Sequence, residues 1–313
     1  MVTTVATASG DPIGALDYNT IRDKIIPIIG VGSADKGYGQ AVQSTAVFEG
    51  NIATKAQWDA LRFDILNAKL HQDGVLPPIV EIQKTTPIRY GPGNPNTDYS
   101  ILADIAVSNR FTVAAGQTVL SSKANATLET AWGALATCEL TLTFLNSNDA
   151  RYFFNSGGKI KFTSTRTGGA NTSQNNAWTN LLSTVGTQAF SADPGLSINF
   201  YKLTNVYQTF YIRSTSTPYS DNNFKLEAKS NVADNIGGTA TQVIIKISWV
   251  DAYVDPDTLQ APGSSPASNA PNDVVDGTLT INVEETKASG TLYPYGSFTI
   301  ASPTYSLSAI STS

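Results

Sequence analysis

The apolar positions of this chain change period partway along it. In DYNTIRDKIIPIIG, residues 17 to 30, Tyr18, Ile21, Ile25 and Ile28 recur at helical spacing behind Asp17 as the capping residue, and Pro27 and Gly30 end or kink the segment. A second helix is predicted in TKAQWDALRFDILNAKLHQDG, where Thr54 and Gln57 have capping-box spacing, Trp58, Leu61 and Ile65 form the stripe, and Gly74 is the stop. Neither segment is long enough to hold a helix alone in water. Ile21, Ile25, Trp58, Leu61 and Ile65 are therefore expected at contacts, within the module or between subunits, with packing onto the chain's own sheets as the other outcome.

Residues 76–110 begin with LPPIVEIQKTTPIRYGPGNPNT, whose Pro, Gly and Asn predict an extended connector. Beyond it the period becomes two. CELTLTF, GKIKFTST, LSINFYKL, VYQTFYIRS, NFKLEAKS and QVIIKISWV each alternate apolar with polar residues between turn signals, which predicts antiparallel strands. One helix interrupts them, TSQNNAWTNLLSTVG, with Trp178, Leu181, Leu182 and Val185 on one side and Gly186 as its stop. PDTLQAPGSSPASNAPND has no apolar periodicity and reads as a linker, and GTLTINVEE and GSFTIASPTYSLSAI are two more strand candidates. They are too few for a sheet of their own.

The pattern predicts a mainly β chain, an antiparallel β-sandwich, jelly-roll-like, with a small N-terminal helical module. Its divisions are an arm at 1–15, a helical attachment module at 16–75, the connector at 76–110 and a sandwich with one helix at 111–255. A linker at 256–275 leads to C-terminal strands at 276–313 that return to the sandwich or pair between subunits.

Composition narrows the partners. Of 313 residues only 14% are charged and the net charge is -5, well under the roughly 25% charged of ordinary soluble domains. With no Lys/Arg cluster and no basic amphipathic helix, neither nucleic acid nor a membrane is an expected partner. The first residues, MVTTVATASGDPIG, have neither the basic nor the apolar region of a signal peptide, so synthesis in the cytoplasm is expected. Cys138 is the one cysteine. It alternates with Leu140, Leu142 and Phe144, a packing position.

Candidate chemistry is sparse. GVGSADKGYGQ, Gly30 to Gln40, has the Gly32 and Gly37 spacing of a phosphate loop, but Tyr38 and Gly39 stand where lysine and a hydroxyl are needed. Gly30, Gly32, Gly37 and Gly39 are read instead as a reversal with Tyr38 packed inside it. Asn155, Gly157 and Gly158 of FFNSGG are read as a second tight turn. His71, the one imidazole, falls in the last turn of a helix, where it is expected to add at most about 1 kcal/mol through the helix dipole. Asp251, Asp255 and Asp257 lack the glycine and distal glutamate of a calcium loop. Glu284 and Glu285 are adjacent in a strand and point to opposite faces. Tyr219, Tyr293 and Tyr295 stand in turn contexts where exposed rings could stack on a sugar. No catalytic residue, cofactor or metal ligand is expected.

DYNTIRDKIIPIIGVGSADKGYGQ, QWDALRFDILNAKLHQDG, ARYFFNSGGKIKF and QNNAWTNLLSTVG resemble a family of virion structural proteins of tailed phages, especially marine cyanophages. The resemblance covers the helical first quarter and much of the β region. It implies a component of the particle without fixing its station; the expected form is a homo-oligomer (a trimer is one form) of the tail, neck, baseplate or fibre that contacts other virion proteins. It brings no catalytic residues. A receptor- or glycan-binding module of the virion is the alternative.

Overall fold

The computed structural model describes residues 14–79, 81, 98–253, 274–288 and 298–313. Its first part is a cluster of three helices. In α1 (Ala15–Ile29) the predicted stripe is buried, but the cap lies earlier than Asp17: Gly14 precedes the helix, and its N–H donates to the Asp17 carboxylate at 3.1 Å. Pro27 leaves the helix unbroken, and Gly30 closes it by donating to Ile26 O. α2 (Lys55–Asp73) begins at the Thr54/Gln57 capping box and ends at Gly74, whose φ is 74°.

Part of the expected connector is a third helix, α3 (Tyr99–Ser108), capped by Asp98, which accepts from the N–H groups of Ser100 and Ile101. The Pro/Gly-rich stretch before it masked a run, ILADIAV, in which Leu102, Ala103 and Ala106 are buried. Residues 82–97 of that connector lie outside the described residues.

The three helices run parallel. Trp58 packs edge-on against Tyr18 at 5.1 Å and Tyr99 at 5.5 Å, close to all three N-termini. At the opposite ends Ile28, Leu70 and Val107 join the core of the sandwich. Parallel dipoles place three partial positive charges at one tip, where Asp17, Asp98 and the Thr54 hydroxyl answer them. The chain returns from the sandwich end of α1 to the tip through residues 40–54. Buried Asp64 of α2 holds this crossover by accepting from the N–H groups of Gln43 and Ser44 and from Ser44 Oγ at 2.6 Å.

Ile21, Ile25, Trp58, Leu61 and Ile65 are each 3% exposed or less, packed with Tyr18, Tyr99 and Leu102. Burial of each contributes about 1.5–3 kcal/mol. They are contacts within the module, and their burial leaves no stripe for another subunit. They do not cover the sandwich either, because this core is separate from that of the sheets.

The second part is a sandwich of two antiparallel sheets. One has the order β1-β8-β3-β4, formed by β1 (Thr118–Leu128), β3 (Lys159–Thr167), β4 (Thr187–Phe190) and β8 (Thr278–Ala288). The other has the order β10-β2-β7-β6-β5, with β9 also on β2. Its strands are β2 (Leu135–Thr143), β5 (Gln208–Ser214), β6 (Asn223–Ser230), β7 (Gln242–Val250), β9 (Thr304–Leu307) and β10 (Ser311–Thr312). β1 pairs with β8 and β2 with β7 across long stretches of chain, β3 and β4 are neighbours joined through a helix, and β5, β6 and β7 follow one another as a meander.

Ile160, Phe162, Ile281 and Val283 of one sheet meet Leu140, Leu142, Ile245 and Ile247 of the other, and Trp249 Nε1 donates across to Ser164 Oγ at 2.9 Å. α5 (Ser173–Val185) closes one end of the sandwich with buried Trp178, Leu181 and Leu182, and α4 (Ser147–Asn155) lies at the other.

LSINFYKL is not a strand. Asn199 accepts from Tyr201 N–H and turns residues 200–202 into a single 3-10 turn. β1 has no clean alternation because it is a half-exposed edge strand, and a bulge at Lys123 protects that edge. The C-terminal strands return to the sandwich, with β8 between β1 and β3. Of the expected linker, residues 256–273 are not described, and Val275 bridges to Trp132. Among the described residues no helix is long and apolar enough to cross a membrane.

Candidate functional site at the joint of helices and sandwich

Gly30 to Gln40 forms the joint between the two parts. After α1 the chain doubles back on itself: the N–H groups of Tyr38, Gly39 and Gln40 donate to Ile28, Gly30 and Ile29, and that of Lys36 to Ser33. Gly32, Gly37 and Gly39 have positive φ, but Gly30 keeps φ at -75°, and its role is close approach to Ile26 O. At Gly39 two demands coincide, since φ is 69° and a Cβ would strike the Tyr152 ring.

With those N–H groups occupied, the loop presents the carbonyls of Val31, Ala34, Lys36 and Gly37 inward, and α4 fills them. Arg151, nearly buried, donates to Ala34 O at 3.0 Å, Val31 O at 3.1 Å and Lys36 O at 2.8 Å, and to Asn148 Oδ1 at 2.7 Å. Asn155 donates to Gly37 O at 3.2 Å, and the Tyr201 hydroxyl lies 2.8 Å from Ala34 O and 2.6 Å from Asn155 Oδ1, its one proton going to either. A phosphate needs converging donors. This loop offers acceptors already filled by a guanidinium.

Three further connections close the joint. Asp35 pairs with Arg110, just beyond α3, at 2.5 Å. The Tyr38 hydroxyl donates to Arg110 O and accepts from Gln72, and burial pushes this phenol up from its ordinary pKa. The C-terminal segment reaches over both parts: Gln40 and Thr299 exchange two hydrogen bonds of 3.0 and 2.9 Å, and Phe298 stacks on His71 with ring centres 4.5 Å apart.

His71 is therefore no exposed helix-end side chain. It is fully buried between Phe298 and Tyr38, and burial pushes its pKa down to about 3, against a hydrogen bond with the Ser156 main chain that favours the charged ring. Asn155 also differs from expectation. It is the last residue of α4 with its side chain in the joint, and the positive φ of FFNSGG falls on Gly157, with Gly158 tight against Phe153.

The other candidates lie apart from the joint. Cys138 is buried in β2 and its thiol is pushed up to about 12 by burial. Asp251 is buried beneath α5, accepting from Gln174 Nε2 at 2.6 Å, Trp178 Nε1 at 3.1 Å and Asn222. Asp255 and Asp257 lie outside the described residues. Among those described, no three His, Cys, Asp or Glu side chains are grouped to hold a metal.

Glu285 faces the core and Glu284 the other side of β8. Glu285 accepts from the Tyr305 hydroxyl at 2.6 Å and Ser302 Oγ at 2.9 Å and stands 3.3 Å from Lys123 Nζ, anchoring the C-terminal segment. Tyr219 stacks edge-on with Tyr253 at 4.6 Å at the α5 end of the sandwich. Tyr293 and Tyr295 lie outside the described residues.

Arg151, Tyr201, Arg110 and Phe298 carry no local signal of their role. Arg151 is 117 positions from Ala34 and Tyr201 is 167, so no motif spacing reports them. Compared with known proteins, the chain matches no protein-family model, no curated protein and no solved structure.

Proposed function

We propose that this chain is a non-enzymatic structural component of a tailed phage particle, held in the virion through its helical module with the sandwich projecting from it. The observation that carries this reading is the joint. Hydrogen bonds from α4, the end of α2, Arg110 just beyond α3 and the C-terminal segment converge on residues 30–40, so load on the helices passes to the sheets without a hinge. A protein that must keep its parts at a set angle in an assembly is served by such a joint. The resemblance to virion structural proteins of cyanophages agrees with it. Immunogold labelling of intact particles in the electron microscope tests the proposal, with labelling at one station of the tail, neck, baseplate or fibre expected. Absence of the chain from purified particles would refute it.

A second reading, host glycan binding, rests on the Tyr219–Tyr253 pair, which lies at the end of the sandwich remote from the helices. A glycan-array screen without binding removes it.

A further inference from the structure

The N-terminal ends of the three helices meet at the tip farthest from the sandwich, and there the module is open. Phe48 and Ile52 are 82% and 83% exposed, flanking a turn in which Asn51 N–H donates to Phe48 O. Leu16, in the first turn of α1, is 41% exposed. Beside them lies a hollow of about 790 Å³ whose lining includes Val47, Thr54 and Gln57. Large side chains this exposed and this close together mark a contact surface.

The chain enters the module at this same tip. The Tyr18 hydroxyl donates to Gln57 O, and Asn19 exchanges two hydrogen bonds with the main chain of Val47, so Gly14 lies close to the hollow. The preceding residues 1–13, MVTTVATASGDPI, carry Val2, Val5 and Ile13 and a single charged side chain, Asp11. Fully extended they span up to about 45 Å.

We propose that the hollow at Phe48 and Ile52 is the docking site for residues 1–13 of a second copy of this chain, with Val2 and Val5 covering the two exposed side chains. This rests on reading the chain as an assembling particle protein. Two bare tips meeting face to face bury too little, since a large aromatic brings about 150–250 Å² and a stable interface takes about 800 Å² per partner. A thirteen-residue segment laid along the tip adds the missing area. The second copy is preferred to the same one because the backbone at Gly14 is extended (φ -88°, ψ 178°), and a return to Phe48 within one copy needs a reversal before it.

The chain suits a thiol test, because its one cysteine, Cys138, is buried. Val5→Cys with Ile52→Cys in the full chain is expected to give disulfide-linked dimers and longer ladders on mild oxidation, absent from Ile52→Cys alone. Light scattering of Phe48→Ser with Ile52→Ser, and separately of Val2→Asp with Val5→Asp, is expected to show a smaller assembly than the wild type at an unchanged melting temperature. A disulfide formed only within one chain, no disulfide, or an undiminished assembly in the serine variant would each overturn the docking site. An assembly that persists without the cross-link leaves the particle reading standing, and particle labelling decides that reading independently.

Discussion

Protonation of His71 should destabilise the fold well before the carboxylates respond. In the unfolded chain the imidazole titrates near 6.5, whereas in the fold, between Phe298 and Tyr38, its pKa falls to about 3. Between these values the unfolded state binds the extra proton, so stability is complete above about pH 6.5 and is lost as pH falls toward 3. The slope reaches about 1.4 kcal/mol per pH unit. That is on the order of 1 kcal/mol at pH 5.5, about 3 at pH 4.5, and on the order of 5 over the whole interval. His71→Phe keeps an aromatic ring against Phe298 and cannot titrate. Guanidinium unfolding of both proteins at pH 7.5, 5.5 and 4.5 should give curves that diverge by these amounts, the wild type losing more. Parallel curves would refute the linkage and with it the buried neutral ring. At pH 7.5, His71→Ala should cost about 3 kcal/mol, as expected for deleting a buried ring rather than a surface cap.

Three other substitutions test the joint and the C-terminal segment. Gly39→Ala should cost about 3 kcal/mol, since it combines a positive φ with a collision at Tyr152, whereas Gly50→Ala, with φ 84° but no neighbour within 4 Å, should cost about 1 in thermal unfolding. Arg151→Met should lose about 3 kcal/mol or more by leaving the Val31, Ala34 and Lys36 carbonyls without that donor, measured by denaturant titration, and a neutral result would make the joint dispensable. Glu285→Gln should weaken the hold of Lys123 and Tyr305 on the C-terminal segment, read as faster hydrogen exchange in β9 with the α2 amides unchanged.

The sequence by itself determined which faces would be buried. Tyr18, Ile21, Ile25 and Ile28 recur with the period of a helix, and Cys138, Leu140 and Leu142 with that of a strand, because local geometry alone sets which side chains share a side. It also held the reversal at Gly30 to Gly39, since Gly37 and Gly39 occupy conformations that other residues strain to reach. Where the local signal was mixed, reading it failed. The helix at Tyr99–Ser108 was masked by the prolines and glycines before it, and the alternation around Phe200 yielded to the Asn199 cap. Only the tertiary structure decided what each face would meet: that Ile21 and Trp58 close a three-helix core instead of an interface, that β8 enters between β1 and β3, and that His71 lies buried under Phe298. The joint lies wholly on that side. Arg151, Asn155, Tyr201 and Phe298 reach it from distant parts of the chain, and a side chain's periodicity records that it is hidden or exposed but not which remote backbone carbonyl or ring it will find.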